Sequence, residues 1–237
     1  MKHKIKRVEY KYFIPSKYVD DLKYCLSKIM LEDKNNNKLL GGYMITSLYF
    51  DTHEDTDLNQ KLDGIIYREK YRLRVYDKNI SFGKFEAKRK LNQVVEKLSM
   101  ELSDIDVRNI IAGDYSCLEN NADMAYVAHR LKYENYSPIA IIEYFRQAYY
   151  LPFNRIRLTI DSDLSNYGFK KEFSNLDCLR SNSVQKPGYD ILEVKFEGSI
   201  PKSILNLLSE FPIRQSSISK YALSRVDSNT EPHGDNL

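Results

Sequence analysis

The stretch YREKYRLRVY, residues 67–76, places a cation at every second position: Arg68, Lys70, Arg72 and Arg74. Tyr67, Tyr71, Leu73 and Val75 stand between them. A period of two belongs to a β-strand, whose successive side chains point to opposite faces. Neighbouring cations on one face then lie about 7 Å apart. At an effective dielectric of about 20 each adjacent pair costs about 2 kcal/mol, falling to well under 1 in open water. A solvated face tolerates that cost. An enclosed face requires anions, from acidic side chains or from a ligand.

The pattern recurs along the chain. KIKRVEYKYFI (4–14) sets Arg7, Glu9 and Lys11 opposite Val8, Tyr10, Tyr12 and Ile14. NISFGKFEAKRK (79–90) reads as the hairpin partner of 67–76, with its turn near Asp77-Lys78-Asn79 and with Lys84, Glu86, Lys88 and Lys90 on one face. PIAIIEYFRQAYYL (138–151), RIRLTIDSDL (155–164) and YDILEVKFEG (189–198) behave alike, and YMITSLYFD (43–51) is a further strand. Helices are expected from Ser16, as N-cap, to Leu31, with Val19, Leu22, Leu26 and Ile29 as the apolar stripe. Others fall at 103–112, opened by a Ser103–Asp106 capping box, at 120–134, from Pro201 to Phe211, and at 217–226. This order predicts an antiparallel-rich α+β fold rather than βαβ alternation. The helical stripes need the apolar strand faces as partners, which leaves the charged faces together, in a cleft or inside a tunnel.

Cations on those faces outnumber acids. Arg7, Lys11, Arg68, Lys70, Arg72, Arg74, Lys84, Lys88, Lys90, Arg146, Arg155, Arg157 and Lys195 stand against Glu9, Glu86, Asp161, Glu193 and Glu197. Guanidinium forks match phosphate oxygens in a bidentate way, so the arginine density points to phosphates. The few carboxylates suit Mg²⁺ or Mn²⁺ held by one or two acids plus substrate phosphates. Phosphoryl transfer asks for little beyond positioning, metal and cationic clamps. The plainer reading makes Glu9, Glu86 and Glu193 salt-bridge partners of the arginines.

Several classes are excluded. A net charge of +3 over 237 residues argues against a generally basic nucleic-acid coat. Neither a Walker-type loop nor a dinucleotide GxGxxG is present. His3, His53, His129 and His233 are scattered, which argues against covalent catalysis. Cys25, Cys117 and Cys178 form no metal spacing, so a reducing cytoplasm is expected. No apolar run approaches the roughly 18 residues of a membrane span, so any anchor is expected from a separate chain. Residues 227–237 read as a disordered tail.

RVEYKYFI, SLYFDT, YRLRVY, FEAKRK, EYFRQAY, RLTIDSDL, ILEVKF and SISKYAL occur in an order that resembles the VTC domain. That domain is the polyphosphate-polymerase relative of the CYTH, or triphosphate tunnel metalloenzyme, superfamily. The resemblance runs from about residue 5 to 226 and implies a single domain over 1–226. The implied fold is an antiparallel β-barrel tunnel with a polar, basic lumen and helices packed outside. It implies that Lys11, Arg72, Arg74, Lys88 and Arg146 bind triphosphate or polyphosphate, with Tyr144 two residues before that last arginine. Glu193 matches the metal-binding glutamate, with Lys195 beside it, and Ser219 and Lys220 match a closing contact with phosphate. Arg157 lies in the similar RLTID strand. The superfamily's first strand reads Glu-x-Glu-x-Lys; here Arg7 replaces the first glutamate, which favours the VTC branch over the hydrolases. The implied activity is transfer of the ATP γ-phosphoryl to polyphosphate with Mn²⁺ or Mg²⁺. A triphosphatase or tripolyphosphatase, or a non-catalytic binder of polyphosphate or inositol phosphate, stays open beside it. No nucleic-acid partner is expected, and a separate membrane partner is compatible.

Overall fold

The computed structural model describes residues 7–91, 94–167, 173 and 181–225; the expected tail at 227–237 and the side chain of Arg7 lie outside them. β1 (Arg7–Pro15) leads through a 3-10 turn into α1 (Val19–Ile29). β2 (Leu31–Glu32), β3 (Tyr43–Asp51), α2 (Thr56–Leu62), β4 (Tyr67–Tyr76), β5 (Asn79–Leu91) and β6 (Val94–Ser103) follow. Then come α3 (Asp104–Ala112), α4 (Ser116–Glu119) and α5 (Ala125–Tyr133). β7 (Ser137–Leu151), β8 (Ile156–Tyr167), β9 (Ser181–Ser183), β10 (Tyr189–Glu197), α6 (Lys202–Ser209), β11 (Arg214–Gln215) and α7 (Lys220–Arg225) complete the order.

The strands form one antiparallel sheet in the order β11-β1-β10-β8-β7-β3-β4-β5-β6, with β2 and β9 as short flanking pieces. The expected closed barrel is not formed among the described residues. β11 occupies the outer edge of β1 at Tyr12 and Phe13, and β6 pairs only with β5, so no ladder joins the two ends. The sheet nevertheless curls hard, as twisted sheets do. Lys88 on β5 reaches Glu9 on β1 at 3.2 Å, although β10, β8, β7, β3 and β4 lie between them in the sheet order.

The convex face carries the apolar halves of the strands, and helices cover it. α1 and α6 bury Leu22, Leu26, Ile204 and Leu208 against Ile14, Leu158, Ile160, Leu192 and Val194. α3 and α5 pack Val107, Ile110, Val127 and Leu131 on Leu48, Leu73, Val75 and Phe85. Burying one Leu or Ile side chain this way contributes about 2 kcal/mol. Gly83 permits the close approach of α3, because a Cβ there would lie 2.7 Å from Val107.

Local expectations fare unevenly. The Ser103–Asp106 capping box is present, and Gly113 in the left-handed region ends α3. Asp77 and Lys78 both take positive φ (49° and 57°), so the β4–β5 hairpin turns as a type I′ pair, and the Asp77 carboxylate accepts from the Met44 N–H at 2.9 Å. Ser16 is not the cap of α1; the 3-10 turn Ser16–Tyr18 intervenes, and Ile29, at the end of the expected stripe, is 40% exposed. The helix expected over 120–134 starts only at Ala125, as α5, and the short α4 precedes the expected range. Among the described residues no helix is long and apolar enough to cross a membrane.

Candidate functional site

Strand register sets the site. Lys11 lies opposite Glu193, Arg146 opposite Asp161, Arg72 opposite Glu86, and Lys70 opposite Lys88. Because the apolar alternates are committed to the helices outside, period-two geometry sends these side chains to the concave face.

There they form one network. Lys11 Nζ lies 3.4 Å from Glu9 and 3.5 Å from Glu193. Lys195 sits 2.9 Å from Glu193 and 3.8 Å from Glu9. Arg146 grips Asp161 through two bonds of 2.6 Å and approaches Glu193 at 3.5 Å, while Lys220 reaches Asp161 at 2.7 Å. Glu86 takes Arg72 at 2.6 Å, Arg74 at 3.7 Å and a close contact from Lys97. Four buried or half-buried acids, Glu9, Glu86, Asp161 and Glu193, thus face eight cations among the described residues: Lys11, Arg72, Arg74, Lys88, Lys97, Arg146, Lys195 and Lys220.

The acids are held ionised. Burial pushes Glu193 up, but Lys195, Lys11, Lys220 and Arg146 together bring it well below the usual carboxylate range. Asp161 also feels burial first, and Arg146 and Lys220 override it to leave a pKa of about 2. Glu86 is lowered strongly by Arg72, Arg74 and Lys97 despite its burial. For Lys11 the desolvation penalty is outweighed by Glu193 and Glu9, and its ammonium is stabilised. Burial acts the other way on Lys88, Lys195 and Lys97, whose ammonium forms are disfavoured, that of Lys97 down to a pKa of about 8.

α7 and the residues before it lie across this face as a strap. The Ile218 carbonyl accepts from Lys11 at 3.0 Å, Ser217 Oγ from Lys61 at 3.1 Å, and Ser219 Oγ from Lys70 at 3.1 Å. Tyr221 stacks on Tyr49 with ring centroids 5.2 Å apart and donates to Asp51 Oδ2 at 2.6 Å. The same Asp51 accepts from the N–H groups of Asp57 and Leu58 at the start of α2.

Lys11, Arg72, Arg74, Lys88, Arg146, Glu193, Lys195 and Lys220 are all brought into the network. Ser219 stands at its margin. Tyr144 is 1% exposed; its ring lies under Arg146 (5.2 Å) and Lys220 (4.8 Å), and its hydroxyl accepts from Arg74 at 3.3 Å. Arg157 turns away from the network's acids to Asp33 at 2.8 Å and the Tyr43 hydroxyl at 3.1 Å. Lys97 and Lys61 join the face without having been singled out from the sequence. Lys97 had a readable signal: VVEKLSMEL sets Lys97, Ser99 and Glu101 against Leu98, Met100 and Leu102.

A divalent cation fits these donors in one mode only. Among the described residues no group of three or more Asp, Glu, His or Cys side chains converges to hold an ion unaided. Glu193 and Glu9, bridged by Lys11 and Lys195, offer hard oxygen ligands that suit Mg²⁺ or Mn²⁺ when phosphate oxygens complete the shell.

The fold is similar to that of a candidate adenylate cyclase from Vibrio parahaemolyticus, at 11% identity and a TM-score of 0.50, covering 92% of this chain and 98% of that one. A candidate adenylate cyclase from Bacillus halodurans aligns at 12% identity and a TM-score of 0.48, over 87% of this chain and 89% of that one. These likenesses concern the fold. No curated protein matches the chain. The family model of the VTC domain matches residues 6–226, nearly the whole chain. With that match spanning all the strands and helices described above, the protein belongs to the VTC domain family.

Proposed function

We propose that this domain is a polyphosphate polymerase that transfers the γ-phosphoryl group of ATP to the end of a polyphosphate chain, releasing ADP. The observation that carries the reading is the excess of cations over acids on a concave face, in a member of the VTC domain family. Polyanions of phosphate neutralise that excess. Lys11, Arg72, Arg74, Lys88 and Arg146 hold the triphosphate. Each is now paired with a carboxylate, so binding exchanges one set of anionic oxygens for another without exposing an unpaired charge. Pre-set by their acids, these cations are placed to stabilise charge as it develops on the transferred group.

Glu193, with Glu9 beside it, would hold the divalent cation, whose contribution is Lewis-acid neutralisation of phosphate oxygens. Tyr144 acts through the cations it carries, fixing Arg146 and Lys220 over its ring. Lys195, Lys220 and Ser219 guide the acceptor chain; Arg157, opposite Lys195 in the register, would join that track only by exchanging Asp33 for phosphate oxygens. The test is incubation of the purified protein with ATP and Mn²⁺. Long polymer resistant to phosphomonoesterase is expected, with loss of synthesis in Arg72→Gln. Release of free phosphate alone would assign a triphosphatase; no turnover with intact phosphate binding in Glu193→Gln would assign a binding domain.

A further inference from the structure

The two margins of the sheet are finished differently. On the outer edge of β1, β11 pairs with Tyr12 and Phe13, and the Ser216 N–H donates to the Lys11 carbonyl at 2.9 Å. Among the described residues β6 has no such cover. Its one ladder is to β5, unbroken by a bulge from Val94 to Ser103, and no strand lies on its other side. Alternate residues of this ten-residue strand therefore turn their backbone N–H and C=O groups outward. Neither Pro nor Gly interrupts VVEKLSMELS.

Side chains along this edge are also only partly satisfied. On the convex face Leu98 and Met100 are half-buried at the border of the core that α3 covers. On the concave face Lys97, Ser99 and Glu101 are exposed. Lys97 contacts Glu86, and Glu101 meets Lys84 at 3.1 Å, yet their side chains stay 48% and 68% accessible. An open edge of this length is a template for another strand, and the charges on it decide which strand fits. A second copy fits in one register. A two-fold axis normal to the sheet keeps concave face with concave face only if it passes a residue lying opposite itself. With the axis at Ser99, Lys97 faces Glu101 of the second copy and Glu101 faces its Lys97, while Leu98 and Met100 face each other twice. Moving the axis to Leu98 sets Glu96 against Met100 and Glu101 against Val95. Moving it to Met100 sets Lys97 against Ser103 and Glu101 against Ser99. Opposite charges facing across an antiparallel pair stabilise it, and an unmatched charge at an edge hinders pairing.

We propose that β6 is a homodimerisation edge: two copies join β6 to β6 in antiparallel fashion, centred on Ser99, into one continuous sheet. The concave face of each copy then runs into that of the other. Lys97, which shares Glu86 with Arg72 and Arg74, gains a second acid from the partner copy. Leu98 and Met100 complete their burial against their counterparts. The inference needs no ligand and stands apart from the proposed reaction.

The experiment follows the full chain by sedimentation velocity across the micromolar range, for wild type and for Glu101→Lys. Wild type is expected to pass from monomer to dimer as concentration rises. Glu101→Lys, which sets like charges opposite one another twice, is expected to weaken the dimer about 10-fold or more. Oxidative crosslinking reads the register. Ser99→Cys brings two thiols directly opposite, with Cα atoms about 4.5–5.5 Å apart and within reach of a disulfide, and should crosslink. Glu96→Cys, about 20 Å from its own counterpart in that register, should crosslink no more than wild type, whose native cysteines set the background. A monomer at every concentration, a dimer that Glu101→Lys leaves intact, or equal crosslinking at both positions overturns the proposal. If Glu101→Lys does not fold, the two cysteine variants carry the test, since neither position is buried.

Discussion

Glu69 and Lys70 are consecutive residues of β4, yet they belong to opposite electrostatic regimes. On the convex side Glu69 has a side chain with 0% exposure, held by Arg89 at 2.8 Å, by Arg130 at 3.2 Å and by the hydroxyls of Tyr67 and Tyr71. Arg130 also lies over Tyr71 and Tyr136 and pairs with Glu134, and Arg89 lies over Tyr126 and near Glu96. There the acids Glu69, Glu96 and Glu134 at least match the two arginines, and aromatic rings lie against both guanidinium groups. On the concave side cations exceed acids and half-buried lysines remain within reach of solvent. Burial of charge alone does not mark a ligand surface; an uncancelled sign does.

The contrast can be broken most forcefully at Glu69. Glu69→Ala leaves Arg89 and Arg130 without their central acid and is expected to cost about 3–5 kcal/mol in urea unfolding. Saturating tripolyphosphate stabilises every variant that binds it, so the loss is read against wild type with the same ligand, and there it should persist undiminished. Glu86→Gln, on the concave side, weakens the hold on Arg72, Arg74 and Lys97 and is expected to cost roughly 2 kcal/mol without ligand. Here tripolyphosphate should recover most of the loss, because phosphate oxygens replace the missing carboxylate. Equal recovery in both variants, or in neither, would dissolve the distinction between the two faces.

A smaller effect is expected at Asp57, an acid with too little positive charge around it. Its Oδ1 accepts from the Tyr136 hydroxyl at 2.9 Å, while Oδ2 is buried without a hydrogen-bond partner. Burial, then the nearby Asp51, pushes its pKa up to about 7. A raised carboxyl pKa stabilises the fold below the ordinary value near 4, and that contribution is lost as pH rises through about 7. Asp57→Asn should therefore flatten the fall in stability between those limits and be more stable than wild type at pH 8, by roughly 1–2 kcal/mol. A pH profile identical to wild type would contradict the assignment.

How far the sequence reveals this depends on distance along the chain. β3 and β4 match their expected bounds, because alternation and turn chemistry are local signals. The capping box at Ser103 and Asp106 is equally local. Closure is not: whether β1 meets β6 depends on curl summed over the intervening strands, and the two-residue β11, too short to carry a pattern, takes part of that edge. The concave cations were legible as a face, but their division was not. That Glu86 serves Arg72 and Arg74 while Lys70 and Arg68 have no acid follows from register and from the strap, which brings residues 217–221 onto strands far earlier in the chain. Glu69 was hidden among the cations of its own strand; only the position of α5 shows why an acid belongs there.

The account rests on the concave face binding phosphate chains, and thermal unfolding of the wild-type protein with and without tripolyphosphate, at matched ionic strength, tests it directly. Binding to the folded state alone predicts stabilisation of about 2.7 kcal/mol at one hundred times the dissociation constant, abolished in Arg72→Gln. An unfolding temperature that tripolyphosphate leaves where sodium chloride of equal ionic strength leaves it would contradict the account.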